Sequence, residues 1–157
     1  MAADADPTEA PAHASLNAVL IRLPGGGSGE MGEFARLLLA GAQEDEELAL
    51  EPAELACIVE AGHAFFRERP TGGPKLAVRQ TAGIREKSAA RPLTIVEILN
   101  DDMPFLVSSV MGEVQARGLQ PLLALHPIFA VRRSAAGRLE RIAPAQDEDR
   151  SAQRESL

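Results

Sequence analysis

Several short runs in this chain have residue types and spacings associated with chemistry. Gly27-Ser28-Gly29-Glu30-Met31-Gly32 has the G-x-G-x-x-G form of a dinucleotide-binding turn and stands before a helical pattern. Such a turn cradles pyrophosphate when a strand precedes it and a second strand, ending in an acid, follows its helix. Here a second helix follows, and no Gly-Lys-Ser/Thr run supplies a phosphate loop, so the glycines read as an interhelical connection. Asn100-Asp101-Asp102 offers two carboxylates. Adjacent carboxylates do not easily converge on one ion and no third ligand lies near them in sequence, so capping of the following helix is their expected role. His63 lies beside an apolar stripe and His126 precedes Pro127; neither has spaced carboxylates around it. Cys57 has no basic neighbour in sequence to lower its pKa. Ser108 and Ser109 fall inside a helical pattern with no G-x-S-x-G elbow. No catalytic set assembles, and the expectation is a chain without catalytic, cofactor-binding or metal-binding residues of its own.

The totals exclude further classes. With 157 residues there is room for one domain or two small ones, and 45% hydrophobic content fills a core. Five Phe with no Trp and no Tyr argue against base or sugar stacking, and a net charge of −7 repels a phosphate backbone, so no nucleic-acid partner is expected. One cysteine makes no internal disulfide. The acidic start Met1-Ala2-Ala3-Asp4 is unlike a secretory signal, and no stretch approaches the roughly 18 apolar residues of a membrane span. A cytoplasmic protein with no membrane partner is expected.

The elements needed to position any site come in two groups. Residues 1–14 read as a disordered leader. Residues 16–23 are an apolar stretch compatible with strand or helix, broken by the glycine run. From Glu30 the period is helical, with Met31, Phe34, Ala35, Leu38 and Ala42 on one face, closed by the acids of 44–47. Pro52 fits the first turn of a second helix, whose stripe is Leu55, Ile58, Val59, Gly62, Phe65 and Phe66. After residues 70–74 the period changes. Residues 76–80 and 93–99 read as strands, the latter apolar on both faces apart from Glu97, as for an interior strand. A helix follows, with Pro104 in its first turn, a stripe of Met103, Leu106, Val107, Val110 and Val114, and Gly118 at its end. Strands are expected at 119–125, 128–133 and 138–142, and a polar stretch after Pro144. The fold class is α+β: a helical layer, then the β-α-β-β opening of a ferredoxin-like unit, truncated before its second helix and last strand.

The run from Thr94 to Val110, containing Asn100-Asp101-Asp102-Met103-Pro104-Phe105-Leu106-Val107, resembles a specific family. With Gly118-Leu119, Leu125-His126-Pro127 and Val131-Arg132-Arg133 before Gly137, it is similar to the N-terminal ACT-like region of the large bacterial NAD-dependent glutamate dehydrogenases. Phe65-Phe66-Arg67-Glu68-Arg69-Pro70 with Gly73-Pro74-Lys75 resembles the run joining that family's leading helices to its first strand. The likeness reaches weakly back to about Leu16 and implies that residues 16–23 are helical. It implies a long parent enzyme that oxidises L-glutamate with NAD to 2-oxoglutarate and ammonia, its catalytic domain lying far downstream. NAD belongs to that parent, and no cofactor is implied for this segment. ACT-like modules elsewhere sense amino acids and assemble subunits. Ligand-binding members have Gly after the proline of the first strand–helix loop, and this chain has Phe105 there, which favours packing over effector binding.

The resulting expectation is a regulatory or assembly segment, with the rest of the parent chain and further copies as partners; an amino-acid effector is the alternative. The units are 1–14 as leader, 15–74 helical, 75–145 ACT-like and 146–157 a polar tail. Asn100, Asp101, Asp102, Phe105, Ser109 and Gly112 are the candidate effector or interface residues. Phe105 points away from the helix's apolar stripe and is expected to be covered, by the leading helices or by a partner.

Overall fold

The computed structural model describes residues 11–40, 50–85 and 92–157. Ala42, the acids of 44–47 and residues 1–10 of the expected leader lie outside them. Helix α1 (Pro11–Leu20) begins inside the stretch expected as leader, and residues 16–20 are helical, as the family likeness implies. α2 (Gly29–Ala40) and α3 (Pro52–Phe66) follow. α3 starts as its sequence dictates: Pro52 occupies the first turn, and the Glu54 carboxylate accepts the Glu51 N–H at 2.7 Å.

The glycine run between α1 and α2 is a turn set by close packing. Gly27 has φ 71°, and a Cβ there would lie 2.8 Å from the Leu20 side chain. A Cβ on Gly32 would lie 1.6 Å from the Gly27 carbonyl oxygen. Two of the three glycines that suggest a phosphate turn, Gly27 and Gly32, are therefore required by the contact between the glycine turn and its neighbouring helices.

β1 (Lys75–Arg85), β2 (Pro92–Asp101), α4 (Leu106–Ala116), β3 (Ile128–Arg133), β4 (Leu139–Pro144) and β5 (Gln153–Ser156) complete the chain. The five strands form one sheet in the order β1-β2-β5-β3-β4. β5 runs antiparallel to both β2 and β3, so β2 and β3 are parallel to each other and joined through α4. This is a split β-α-β unit, the kernel of a ferredoxin-like sheet. β1 occupies the position beside β2 that the last strand of such a unit takes, and it arrives by antiparallel pairing with β2 from the N-terminal side.

Two expectations change here. Residues 119–125 are not a strand; their alternating Leu119, Leu123 and Leu125 find no neighbouring strand, because β5 fills the place beside β3. The stretch 146–157 is not merely a polar tail. It contains β5, at the middle of the sheet, with Glu155 and Ser156 at 1% and 0% exposure. Four polar residues have no apolar alternation to announce a strand, and tertiary pairing supplies what propensity lacks.

The core lies between α1–α3 and one face of the sheet. Phe34 from α2, Phe66 from α3 and Phe129 from β3 are fully buried, with ring centroids 4.7–5.7 Å apart, and Leu55, Val59, Leu99 and Val131 surround them. This layer spans the sheet, with α3 approaching β1 and α2 approaching β4. α4 contributes no buried residue and no member of that core.

Candidate functional site

A cleft of about 650 Å³ opens where α3 gives way to β1, at the ends of β2 and β3. Its floor is built from charges that the sequence scatters widely. Arg69 sits two residues past the C-cap of α3 at Arg67. It is held there by the short bridge between Glu68 and Arg138, in which the Arg69 N–H donates to the Gly137 carbonyl (3.0 Å) and the Leu139 N–H to the Arg67 carbonyl (2.8 Å). Gly137 has φ 79°, and a Cβ there would lie 1.9 Å from the Arg69 carbonyl oxygen, so only glycine permits this approach.

The Arg69 side chain is 8% exposed. Its Nη1 donates to Asp101 Oδ1 at 2.7 Å and to Glu155 Oε1 at 3.0 Å, while Nε and Nη2 donate to the Gly73 carbonyl and Nη2 also to Asn100 Oδ1. Arg133 grips the same carboxylate: Nε lies 2.9 Å from Glu155 Oε1 and Nη2 lies 2.7 Å from Oε2. Its remaining donors reach the carbonyls of Phe66 and Gly137, and its guanidinium lies 5.0 Å from the centre of the Phe66 ring. Burial works against the Arg69 charge, but the hydrogen bonds and charges of Asp101 and Glu155 outweigh it and raise its pKa. Two arginines on one buried carboxylate thus tie the end of α3, β2, β3 and β5 together.

A second buried acid sits deeper in the seam. Glu97 of β2 faces the helical layer at 8% exposure, paired through Oε1 with Arg79, while Oε2 has no hydrogen-bond partner. Burial is the larger influence and raises its carboxyl pKa; Arg79 opposes it. Gly62 of α3 packs over it, at a spacing where a Cβ would make ordinary contact, 3.5 Å from Glu97 Oε1. Its neighbour His63 is structural, with Nε2 2.9 Å from Glu30 Oε1 and its ring edge-on to Phe34.

The candidate residues from sequence separate into two places. Asn100 and Asp101 line the cleft. Asp102, Phe105, Ser109 and Gly112 do not, and all four are exposed. Capping by Asn100, Asp101 and Asp102 is not what they do. Asp101 is the last residue of β2 and pairs with Arg69, the Asp102 N–H donates to the Arg154 carbonyl (2.9 Å), and α4 begins after Phe105 with no side-chain cap. Phe105 is not covered by the leading helices; it is 80% exposed. Its φ of 66° is the left-handed conformation that glycine adopts without strain, so the loop keeps a glycine-like backbone while carrying a ring. Arg69, Arg133 and Glu155 are absent from the sequence-derived site. The available signal was the inward alternation Phe129, Val131, Arg133, which places a cation on the buried face of β3 and calls for an anion opposite.

Among the described residues no group of three or more His, Cys, Asp or Glu is placed to hold a metal, and no helix is long and apolar enough to cross a membrane. Residues 34–157 match the family model described as glutamate dehydrogenase, ACT1 domain. The chain is 41% identical over 64 residues to an NAD-specific glutamate dehydrogenase of Pseudomonas aeruginosa and 39% identical over 64 residues to one of Halomonas elongata. Each alignment covers 41% of this chain and 4% of the relative, so the chain matches only a small part of those proteins. No solved structure matches it.

Proposed function

Because this chain belongs to the glutamate dehydrogenase ACT1 domain family, we propose that it is a non-catalytic regulatory and assembly segment of an NAD-specific glutamate dehydrogenase. The parent reaction is the oxidation of L-glutamate with NAD to 2-oxoglutarate and ammonia, and NAD is held by the parent elsewhere. The observation that carries this reading is the state of the cleft's charges. Arg69, Arg133 and Glu155 are engaged with one another and with backbone carbonyls, which suits a joint between secondary-structure elements better than a reacting centre. The test is an assay of the purified chain for glutamate-dependent NAD reduction. No turnover above the blank is expected, and sustained turnover would overturn the reading.

A second reading has an observation of its own. The cleft at the end of β2 offers carboxylates at Asp101 and Glu140 and a half-exposed guanidinium at Arg132, a mixture suited to the two charges of an amino acid. Calorimetric titration with glutamate, aspartate and branched-chain amino acids separates the two. Binding tighter than about 1 mM, roughly 4 kcal/mol, makes the segment a sensor.

A further inference from the structure

We propose that Glu97 makes the seam between α3 and the β1–β2 pair a proton-sensitive joint, which closes when the carboxyl takes up a proton and loosens when it is charged. The seam adjoins the cleft. α3 leads to Arg69, and β2 runs on from Glu97 to Asn100 and Asp101, which Arg69 grips. The two elements that meet at the cleft floor are thus the two between which Glu97 is packed. The inference goes beyond the functional reading above and needs only the fold.

Glu97 places a carboxylate where its charge is poorly answered. Its side chain is 9% exposed. On the helical side it lies against Gly62 of α3, beside the Phe34 ring of α2. Oε1 accepts from Arg79 Nη2, but Oε2 has no partner, and neither has Arg79 Nε. The pair is joined at one point, whereas a guanidinium set side-on would answer both oxygens. Arg79 is also 34% exposed, so water shares its charge.

The neighbouring titratable groups are engaged with others. Lys75 of β1 donates its Nζ to the carbonyls of Phe65 and Glu68, and His63 of α3 pairs with Glu30 of α2. A bare charged oxygen is costlier to bury than a neutral one. Protonation of Oε2 from solvent removes that cost and leaves Oε1 free to keep Arg79. In keeping with this, burial outweighs the opposing charges of Arg79 and Lys75 and raises the carboxyl above the 4.5 of an ordinary glutamate.

The direction of the pH dependence follows. The closed seam holds this proton more tightly than the open one does. Its stability is therefore fully present below pH 4.5 and is lost as the pH rises through the raised value. Between the two, the opening equilibrium grows by up to about tenfold per pH unit. The paired acids of the β4–β5 loop work the other way. Asp147, held at about 2 by its hydrogen bond from Arg141, and Asp149, lowered by hydrogen bonds from Ser151, contribute stability that is present above pH 3.8 and lost in stronger acid. They do not imitate the effect of Glu97.

The experiment follows amide hydrogen exchange in the chain and in Glu97→Gln from about pH 5 to about pH 8, corrected for the intrinsic rate at each pH. In the unsubstituted chain, protection of α3 and of the β1–β2 ladder is expected to fall by about tenfold or more across that range. Glu97→Gln keeps the shape and removes the titration. Its protection is expected to lack that fall and to exceed that of the unsubstituted chain at the upper end. Contributions from the histidines are common to both proteins and cancel in the difference. Arg79→Gln removes the cation that opposes the proton and is expected to move the fall to higher pH. Should Glu97→Gln fold poorly, NMR of the Glu97 carboxyl carbon in the unsubstituted chain reads the same proton directly. A carboxyl titrating at or below 4.5, equal pH dependence with and without Glu97, or a fall unmoved by Arg79→Gln would each overturn the joint.

Discussion

The two sides of the sheet treat the same residue types in opposite ways. On one side Phe34, Phe66 and Phe129 are fully buried under α1–α3. On the other, Leu76, Val78 and Val96 stand open. Phe105 is exposed as well, and α4 has no buried residue. Apolar character alone therefore does not say which face is finished within this chain. The helical layer provides three helices for one face, whereas β1 reaches its place by antiparallel pairing rather than through a crossover helix, and so brings no second helix to the other.

The comparison is broken most severely by emptying the buried side. Phe129→Ala removes a ring that contacts both Phe34 and Phe66, and a loss of about 4 kcal/mol is expected. Chemical denaturation measures it, and a loss below about 1 kcal/mol would mean that the layer is not the principal core.

Glu155→Ala should follow at about 3 kcal/mol or somewhat more, because it leaves Arg69 and Arg133 buried without their shared anion. The same denaturation series carrying Arg133→Ala as well gives a cycle. The double variant should lose clearly less than the sum of the singles, and strict additivity would show that the charges do not act as a unit.

The smallest effect has the opposite sign. Phe105→Gly should raise stability by about 0.5 kcal/mol, as relief of left-handed strain slightly exceeds the entropy glycine adds to the unfolded chain. Phe105→Ala keeps the strain and should change little. A loss above about 2 kcal/mol in either variant would show that the exposed ring is packed after all, and would erase the contrast between the two sides.

Much of this architecture was legible beforehand wherever a period of the right length was present. The α2 and α3 stripes and the apolar run of β2 each encode a local preference strong enough to survive folding. The site was less legible. Asn100 and Asp101 were singled out as caps and turned out to line a cleft, because the chain stays extended through Asp101 and takes a left-handed residue at Phe105 before α4 can start. Arg69, Arg133 and Glu155 carry no common spacing, and the last lies 86 positions after the first.

The sequence by itself determined the α+β class, the helical layer and the family, since hydrophobic period and motif order are properties of neighbouring residues. Only the tertiary structure decided that β5 enters the middle of the sheet and that one buried carboxylate answers two arginines. Gln153-Arg154-Glu155-Ser156 has no strand signal of its own. It becomes a strand because β2 and β3 present open backbone on both sides, and because Arg69 and Arg133, already brought to that gap by the end of α3 and by β3, need an anion there.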